Sequence, residues 1–427
     1  MRPKARETGP AAAGLVPLTE SRDLRGGRTS WEEDAWDIPP ADPLSDLKCD
    51  VAVIGAGVMG SILAERLSAD GHSVLLLDRR SPGMGSTAAS TAELMWAMDV
   101  PLSTLAADIG EAEAARRWTR VYRAVRSLAE RIDRLGIDCA RVERPTVYLA
   151  GDLLDASGLR IEAALHACHG LPSEYLNEDA VARRFGIRPR AAIVSEGGFE
   201  VDPVRLAHGM LEIARARGAR IHYPCNVVSI DDREDRVTLL LADGIEIEAR
   251  QVVLASGYER ATLFLPPQFE LLSTFVIATS PGTAPLWGEN AMIWEASDPY
   301  LYVRTDDEGR VIAGGEDADL IDARRRDDLI GRKAGTIAAK LMALLGSAPL
   351  PVDRAWSATF GSSPDGLPAI GLAANMHRVW LSAGFGGNGI AFAALASELL
   401  SESLAGRIDP DAACFDPYRF SAKTGSG

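Results

Sequence analysis

CDVAVIGAGVMGSILAERLSADGHSVLLLD, residues 49–78, is the stretch that decides the fold of this chain. Val51–Ile54 is a short apolar run, which is typical of a strand buried on both faces. Apolar residues then recur at helical spacing until Gly71, a residue type that commonly follows the end of a helix. A second apolar strand, Val74–Leu77, runs directly into Asp78. Between the first strand and the helix, three glycines stand in G-x-G-x-x-G spacing at Gly55, Gly57 and Gly60.

Each part of this strand–helix–strand unit has a physical function in binding a dinucleotide. The first glycine permits the tight turn, the second lets backbone approach a pyrophosphate, and the third lets helix and strand pack closely. The helix N-terminus offers unpaired N–H groups and a positive dipole end to phosphates. Asp78, at the end of the second strand, can accept a hydrogen bond from a ribose hydroxyl. The unit therefore predicts a dinucleotide site; the alternative is a tight turn that binds nothing.

Composition limits the partners and the compartment. With 60 acidic and 45 basic residues the net charge is −15, which argues against nucleic acid or an anionic membrane as the main partner. Five cysteines without a C-x-x-C pair indicate reduced thiols and a cytoplasmic protein. No apolar run approaches the ~18 residues of a transmembrane helix. No metal site is expected, because the cluster His166, Cys168 and His169 lacks a matching second half.

Outside this unit, three further stretches carry functional signals. Residues 1–45 lack periodicity and predict a poorly ordered arm, part of which Trp31 and Trp36 can dock on the body. The Gly/Ser/Thr-rich turn after Asp78 precedes a helix predicted from about Ser90. Near the end, GFGGNGI (residues 384–390) opens a final helix and is a second candidate clamp for an anion or a carbonyl group.

Taken in order, four motifs carry a resemblance to a known family. They are GAGVMG near the start, VVLASG in the middle, and PDGLPAIG followed by GFGGNGI near the end. In this order the set resembles the FAD-dependent amino acid and amine oxidoreductases. That group contains D-amino acid oxidase, glycine oxidase, sarcosine oxidase and the D-amino acid dehydrogenases. The resemblance extends from about Leu47 to Leu404.

The resemblance implies an α/β fold in which a discontinuous Rossmann-like FAD-binding domain is joined to a second, mainly antiparallel-sheet substrate domain. The expected FAD-binding domain comprises residues 46–140, 196–262 and 350–406, the expected substrate domain comprises residues 141–195 and 263–349, and residues 407–427 form a C-terminal tail after the arm at 1–45.

The resemblance also implies which residues hold FAD. Three glycines of the first motif contact the pyrophosphate, and acidic and basic residues after the second strand lie beside the adenosine. Hydroxyl groups lie along the ribityl chain, and the last glycine-rich loop approaches the flavin ring. The expected cofactor residues are Gly55, Gly57, Gly60, Asp78, Arg79, Ser86, Thr87, Val228, Ala255, Gly257, Gly386, Gly387, Asn388, Gly389 and Ile390.

Arg304 is the residue expected to bind the substrate. In the predicted strand Tyr300–Arg304 a period of two places Tyr300, Tyr302 and Arg304 on one face. By resemblance, Arg304 occupies the position of an arginine that clamps the substrate carboxylate, and a guanidinium suits that bidentate contact. The alternative is an arginine that faces solvent or forms a salt bridge. The two tyrosines either orient the substrate or pack as aromatics.

Several departures from the family pattern refine the expectation. Residues 81–90 and 355–363 contain no His or Cys where some members tether FAD, so FAD is expected to be non-covalent. Residues 309–316 contain no lysine of the kind that assists the reaction with oxygen, which favours a dehydrogenase using another electron acceptor over an oxidase. Phe360 stands where glycine oxidase has a second arginine.

The predicted activity is oxidation of the C–N bond of a small amino acid or N-substituted amino acid. Hydride would pass to flavin N5, and the resulting imine would hydrolyse in water. One alternative is an oxidoreductase for an amine or polyamine without a carboxylate, in which Arg304 has no substrate role. The other alternative is a non-catalytic protein that binds FAD.

Overall fold

A computed structural model describes residues 21–31, 40–259 and 264–420 of the chain. In these ranges the strands are β1 (Arg25–Gly27), β2 (Lys48–Ile54), β3 (Val74–Leu77), β4 (Glu93–Leu94), β5 (Val142–Leu149), β6 (Ser173–Leu176), β7 (Ala192–Glu200), β8 (Arg220–His222), β9 (Val227–Asp232), β10 (Val237–Leu241), β11 (Glu246–Leu254), β12 (Glu270–Thr279), β13 (Met292–Glu295), β14 (Leu301–Thr305), β15 (Val311–Ala318), β16 (Val352–Ser362), β17 (Ala369–Leu372) and β18 (Val379–Ala383). The helices are α1 (Val58–Ala69), α2 (Leu102–Ile109), α3 (Glu111–Leu135), α4 (Ala156–Cys168), α5 (Glu178–Phe185), α6 (Pro203–Ala216), α7 (Ala323–Asp327), α8 (Ile330–Leu345) and α9 (Gly389–Leu404), with short 3₁₀ turns at Ser86–Ala89, Gly288–Asn290 and Ala412–Phe415.

The smaller sheet contains the dinucleotide-type unit. Its strand order is β17-β18-β11-β2-β3-β8, with the β9–β10 pair attached to β11. The pairings β18–β11, β11–β2, β2–β3 and β3–β8 are parallel. Helix α1 packs against α6 and α9, and its side chains are almost all buried. Because the parallel strands end at one edge, the glycine turn after β2, Asp78 and the end of β11 meet there.

The larger sheet has the order β1-β16-β12-β15-β14-β13-β5-β7-β4, with β6 paired to β7. Its described pairings are antiparallel except for β13 with β5. Helix α8 packs on one face through Ile337, Leu341 and Leu344. A Rossmann-like unit beside a mainly antiparallel sheet confirms the predicted fold class.

The boundaries between the two units differ from those expected. β16, which the sequence assigned to the FAD-binding domain, belongs to the larger sheet and pairs along its length with β12. β7 crosses the expected boundary between residues 195 and 196. Long antiparallel pairings of this kind hold both strands in one sheet, so the chain passes between the two units at other points than the resemblance implied.

Residues 21–31 are ordered against the body. β1 pairs with β16, and the Trp31 side chain is 4% exposed. Its indole Nε1 donates to the Ser90 carbonyl oxygen at 2.7 Å. The expectation of a poorly ordered arm is therefore wrong for this segment, because non-local strand pairing compensates for a composition that lacks periodicity. Trp36 lies outside the described residues.

The C-terminal stretch also packs on the body. Phe415, in the last 3₁₀ turn, is fully buried. Arg419 donates to both carboxylate oxygens of Asp365 at 2.8 Å. None of the described helices combines the length and apolar character that crossing a membrane requires. All five cysteines are free, and the described ranges hold no group of three or more His, Cys, Asp or Glu residues arranged to bind a metal ion.

Candidate cofactor and substrate cavity

A large cavity lies between the two sheets. It encloses about 1880 Å³ of empty space, part of which is open to solvent. At one end it is lined by the ends of β2, β3 and β11, and the loop before α9 lines its middle. At the other end its wall consists of residues of the larger sheet, from β4, β12, β13, β14 and β16. The cavity therefore extends from the edge of the smaller sheet that carries the glycine turn to a second chamber with a different lining.

The glycine turn after β2 places Gly55 and Gly57 on the cavity wall, but not Gly60, which was expected to contact the pyrophosphate. Gly55 adopts φ +114°, and a Cβ there would overlap the Ala255 carbonyl oxygen. A Cβ on Gly60 would overlap the Gly55 carbonyl oxygen, so Gly60 serves the packing of α1 on β2 and does not line the cavity. Gly57 differs, because a Cβ there would meet only the Thr87 hydroxyl, at 3.0 Å. The space in front of Gly57 is the cavity itself.

Asp78 and the two arginines after it form the adenosine end. The Asp78 carboxylate accepts hydrogen bonds from the Ala56 N–H at 2.7 Å and the Arg80 N–H at 2.8 Å. Burial raises the pKa of Asp78, and these two N–H groups oppose that rise. Glu259 pairs with Arg80 at 2.7 Å and with Arg79 at 3.4 Å. The positive charges at this end thus already face a carboxylate of the chain.

The wall beside Asp78 differs from the expectation in one residue. Val227, the first residue of β9, lines the cavity, whereas Val228 does not. Cys225 lies at the same end, and burial raises the pKa of its thiol to about 11. A thiol with this pKa is protonated at neutral pH and is a poor nucleophile.

The middle of the cavity has groups suited to a ribityl chain and a ring system. The Ser86 hydroxyl oxygen is buried without a hydrogen-bond partner, and a Cβ on Gly257 would reach it only at 4.0 Å. The loop before α9 also lines this region, and the Asn388 side chain donates to the Ala97 carbonyl oxygen at 2.8 Å. The unpaired hydroxyl of Ser86, the open space in front of Gly257 and the N-terminus of α9 are groups suited to binding FAD. The predicted residues on this wall are Ser86, Thr87, Ala255, Gly257, Gly386, Gly387, Asn388, Gly389 and Ile390.

The chamber beyond this region is aromatic. The rings of Tyr300 and Tyr302 lie 5.9 Å apart at 33°, and Trp294 and Phe360 line the same chamber. A Cβ on Gly314 of the neighbouring strand would overlap the Tyr302 hydroxyl, so that glycine makes room for the ring. Burial raises the pKa of both tyrosines, which therefore remain protonated at neutral pH.

Arg304 does not line this chamber, and the expected carboxylate clamp at Arg304 is wrong in this structure. The side chain is 2% exposed. Its Nε donates to the Thr305 carbonyl oxygen at 2.7 Å, and one terminal nitrogen donates to the carbonyl oxygens of Thr91, Ala92 and Val201 at 2.7, 3.0 and 2.9 Å. Arg304 therefore contacts the backbone just before β4. Along β14 the chamber wall includes Tyr302 but not Arg304.

Several residues of the cavity wall were not predicted from the sequence. Glu93 and Asp99 were hidden in a predicted helix from about Ser90, but the chain instead forms the short strand β4 and a loop. Leu24 belongs to the segment that was expected to be poorly ordered. The periodic pattern gave no signal for these contacts, which depend on long-range packing. The residues that were not predicted include Leu24, Thr91, Glu93, Met95, Asp99, Tyr258, Thr274 and Trp294.

Comparison with known proteins identifies the family. Residues 50–403 match the DAO family, described as FAD dependent oxidoreductase. Gamma-glutamylputrescine oxidoreductase of Escherichia coli is 23% identical over 89% of this chain and 88% of its own, and glycine oxidase of Bacillus licheniformis is 25% identical over 84% and 93%. The chain belongs to the DAO family, and it is an FAD-dependent oxidoreductase acting on amino acids or amines.

Solved structures agree with this assignment at the level of the fold. L-proline dehydrogenase from P. horikoshii superposes with a TM-score of 0.74 at 18% identity, covering 88% of this chain and 98% of the other. Glycine oxidase from Geobacillus kaustophilus gives 0.71 at 20% identity, covering 90% and 100%. The predicted family and the predicted cofactor, FAD, are confirmed.

Proposed function

We propose that this flavoenzyme oxidises the C–N bond of an amine that carries no carboxylate beside the reacting carbon. The observation that supports this is the charge of the chamber. Of the described residues that line the whole cavity, only Arg79 and Arg80 are cationic, and both lie at the adenosine end with Glu259. At the aromatic end the wall residues with acidic side chains are Glu93 and Asp99. A site with two carboxyl groups and no described cation favours an ammonium substrate over an anionic one.

The residues of this chamber position the substrate and exclude water. When bound, FAD supplies the acceptor for the hydride removed from the carbon next to nitrogen. Tyr300, Tyr302 and Trp294 provide apolar faces for the carbon chain, and a cation near such faces is stabilised further. Tyr302 interacts with the hydroxyl groups of Thr91 and Thr274, which fixes its ring. The oxidised product, an imine, hydrolyses when it reaches water.

A small amino acid is the second candidate. It is favoured by the Tyr302 hydroxyl at the chamber, which can donate a hydrogen bond to a carboxylate, whereas the Tyr300 hydroxyl already pairs with Asp317. Two relatives carry the name glycine oxidase, but at 24–25% identity that name describes those proteins.

The proposal also covers the electron acceptor, the mode of FAD binding and the cellular compartment. No lysine lies among the described residues of the cavity wall, which supports a dehydrogenase using an acceptor other than oxygen. Neither His nor Cys occurs in residues 81–90 or 355–363, and the Cys225 thiol lies at the far, adenosine end, which supports non-covalent FAD. Five free cysteines support a cytoplasmic location.

The test is anaerobic bleaching of the yellow holoprotein. We expect aliphatic amines and polyamines to reduce the flavin, and D- and L-amino acids and N-methyl amino acids to do so slowly or not at all. Reduction by amino acids alone would refute the proposal in favour of the second candidate. No bleaching by any member of the panel would indicate a protein that binds FAD without this activity. Reoxidation of the reduced flavin is then timed with oxygen and with a quinone; fast reaction with oxygen would refute the dehydrogenase assignment.

A further inference from the structure

The position and burial of the Glu93 carboxyl group are not explained by the binding of the cofactor. It lies on β4, at the edge of the larger sheet, and it lines the aromatic end of the cavity. Its Oε1 atom is buried without a hydrogen-bond partner. A buried polar atom without a partner costs free energy unless it serves a bound group.

The backbone that carries Glu93 is held by hydrogen bonds on two sides. Arg304 donates from one terminal nitrogen to the carbonyl oxygens of Thr91 and Ala92, the two residues before Glu93. On its other side β4 pairs with β7, with Glu93 opposite Glu200. A side chain on so restrained a backbone is suited to a positioning or proton-transfer task.

We propose that Glu93 receives the substrate ammonium group and takes one of its N–H protons before the C–N bond is oxidised. This inference rests on the proposed amine oxidation. The proton moves from the substrate nitrogen to the Glu93 carboxylate, the N–H bond breaks as the O–H bond forms, and the substrate becomes the neutral amine. The released nitrogen lone pair is what the subsequent loss of hydride from the adjacent carbon requires. No oxidant takes part in this proton transfer.

The electrostatic surroundings suit this task. Burial raises the pKa of Glu93 to about 8; Arg304 lowers it and Glu200 raises it. The other group that faces Glu93 is the neutral hydroxyl of Tyr302. An arriving ammonium favours the ionised carboxylate. A proton acceptor works best when its pKa lies near the operating pH.

Asp99 is the other carboxyl group of the chamber and gives a useful contrast. Its Oδ2 already accepts the Gly387 N–H at 2.6 Å, next to the start of α9. Asp99 is therefore oriented toward the glycine-rich loop, whereas Glu93 lies beside Tyr302.

The first experiment measures binding without turnover. The holoprotein is titrated with butylammonium chloride and with butanol, and the perturbation of the flavin absorbance gives both Kd values; initial spectra are used if the flavin is reduced. We expect the wild type to bind the ammonium at least ~10-fold more tightly than the alcohol at pH 9, where Glu93 is ionised. Glu93→Gln should remove that preference, and Glu93→Asp should keep part of it. The control Glu212→Gln, on an exposed position of α6, should behave as the wild type.

The second experiment measures the pH dependence of anaerobic flavin reduction. In the wild type, kred/Kd should rise with pH through about 8, because a raised-pKa carboxyl becomes able to accept a proton only above its pKa. In Glu93→Gln the rise should move to the amine's own pKa, near ~10. The kred/Kd of Glu93→Gln should be lower than that of the wild type by on the order of 100-fold at pH 8 and by less than ~10-fold at pH 10.5.

The outcomes separate the inference from the proposed function. A wild type with no preference for ammonium, or a Glu93→Gln deficit that is equal at every pH, would overturn the role of Glu93 even if amines are oxidised. Glu93-dependent binding of butylammonium without flavin reduction by any amine would support the recognition role and overturn the proposed oxidation, and with it the proton transfer.

Discussion

Replacing Arg304 with Ala tests whether this arginine is structural. The change removes four hydrogen bonds to the carbonyl oxygens of Thr305, Thr91, Ala92 and Val201. It also removes the guanidinium whose Nε lies 3.7 Å from the buried carboxylate of Glu200.

The expected cost is on the order of 3–5 kcal/mol, because buried carbonyl oxygens lose their donor and Glu200 keeps only Arg144 among the described residues, at 3.1 Å, as a cationic partner. The unfolding entropy of about 2.1 cal/mol/K per residue gives about 1 °C of Tm per kcal/mol for a chain of this length. Differential scanning calorimetry should therefore show Tm lowered by about 3–5 °C. Arg324→Ala, at an exposed position of α7, should change stability by less than ~0.5 kcal/mol.

The same variant distinguishes structure from a carboxylate clamp. Since Arg304 holds the backbone before Glu93, flavin reduction should fall for substrates with and without a carboxylate alike. Arg304→Lys should recover only part of the stability, because a lysine side chain has no donor that corresponds to the Nε of Arg304. An Arg304→Ala protein with wild-type Tm and a loss confined to carboxylate-bearing ligands would refute this reasoning.

Three further predictions concern the cofactor. Acid precipitation should release FAD into the supernatant; flavin absorbance that stays with the pellet would contradict non-covalent binding. Gly57→Val should fold with a near wild-type far-UV spectrum yet bind no FAD, since the space in front of Gly57 is the cavity. The control Gly60→Val should fail to fold, because its side chain would overlap the Gly55 carbonyl oxygen. A Gly57→Val protein that still contains FAD would refute the pyrophosphate assignment. A protein that lacks residues 1–31 should release FAD at least ~10-fold faster than a protein that lacks residues 1–20. The reason is that Leu24 lines the cavity and the Arg22 N–H donates to Glu259 at 3.0 Å. Equal dissociation rates of the two proteins in a stopped-flow displacement assay would contradict this prediction.

Local sequence patterns predicted the units that depend on local physics. The G-x-G-x-x-G turn predicted the strand–helix–strand unit because glycine is required where backbone segments nearly touch. Apolar residues at helical spacing over Ala112–Leu135 are typical of an amphipathic helix, and α3 occupies Glu111–Leu135. Asn177, a residue type favoured at helix N-termini, caps α5 by accepting the Ala180 N–H at 2.9 Å.

The features that the sequence did not predict are long-range. A period of two placed Arg304 on the tyrosine face, but it carries no information about where along β14 the chamber ends. The strand β1 forms because β16 offers it an edge, and no local pattern in residues 21–31 records that edge. Glu93 reads as a helical residue in sequence, and only the pairing of β4 with β7 brings it to the cavity wall.

The most direct test of the proposed function compares one amine with its carboxylated counterpart. Butylamine and norvaline differ only by the carboxylate on the carbon next to nitrogen, and anaerobic stopped-flow gives kred/Kd for each. The same comparison is made with the best amine of the panel and its counterpart. We predict that the amine reduces the flavin at least ~10-fold more efficiently than either enantiomer of the amino acid, because no described cation awaits a carboxylate in the chamber. An amino acid that reduces the flavin ~10-fold more efficiently than its amine would contradict the account.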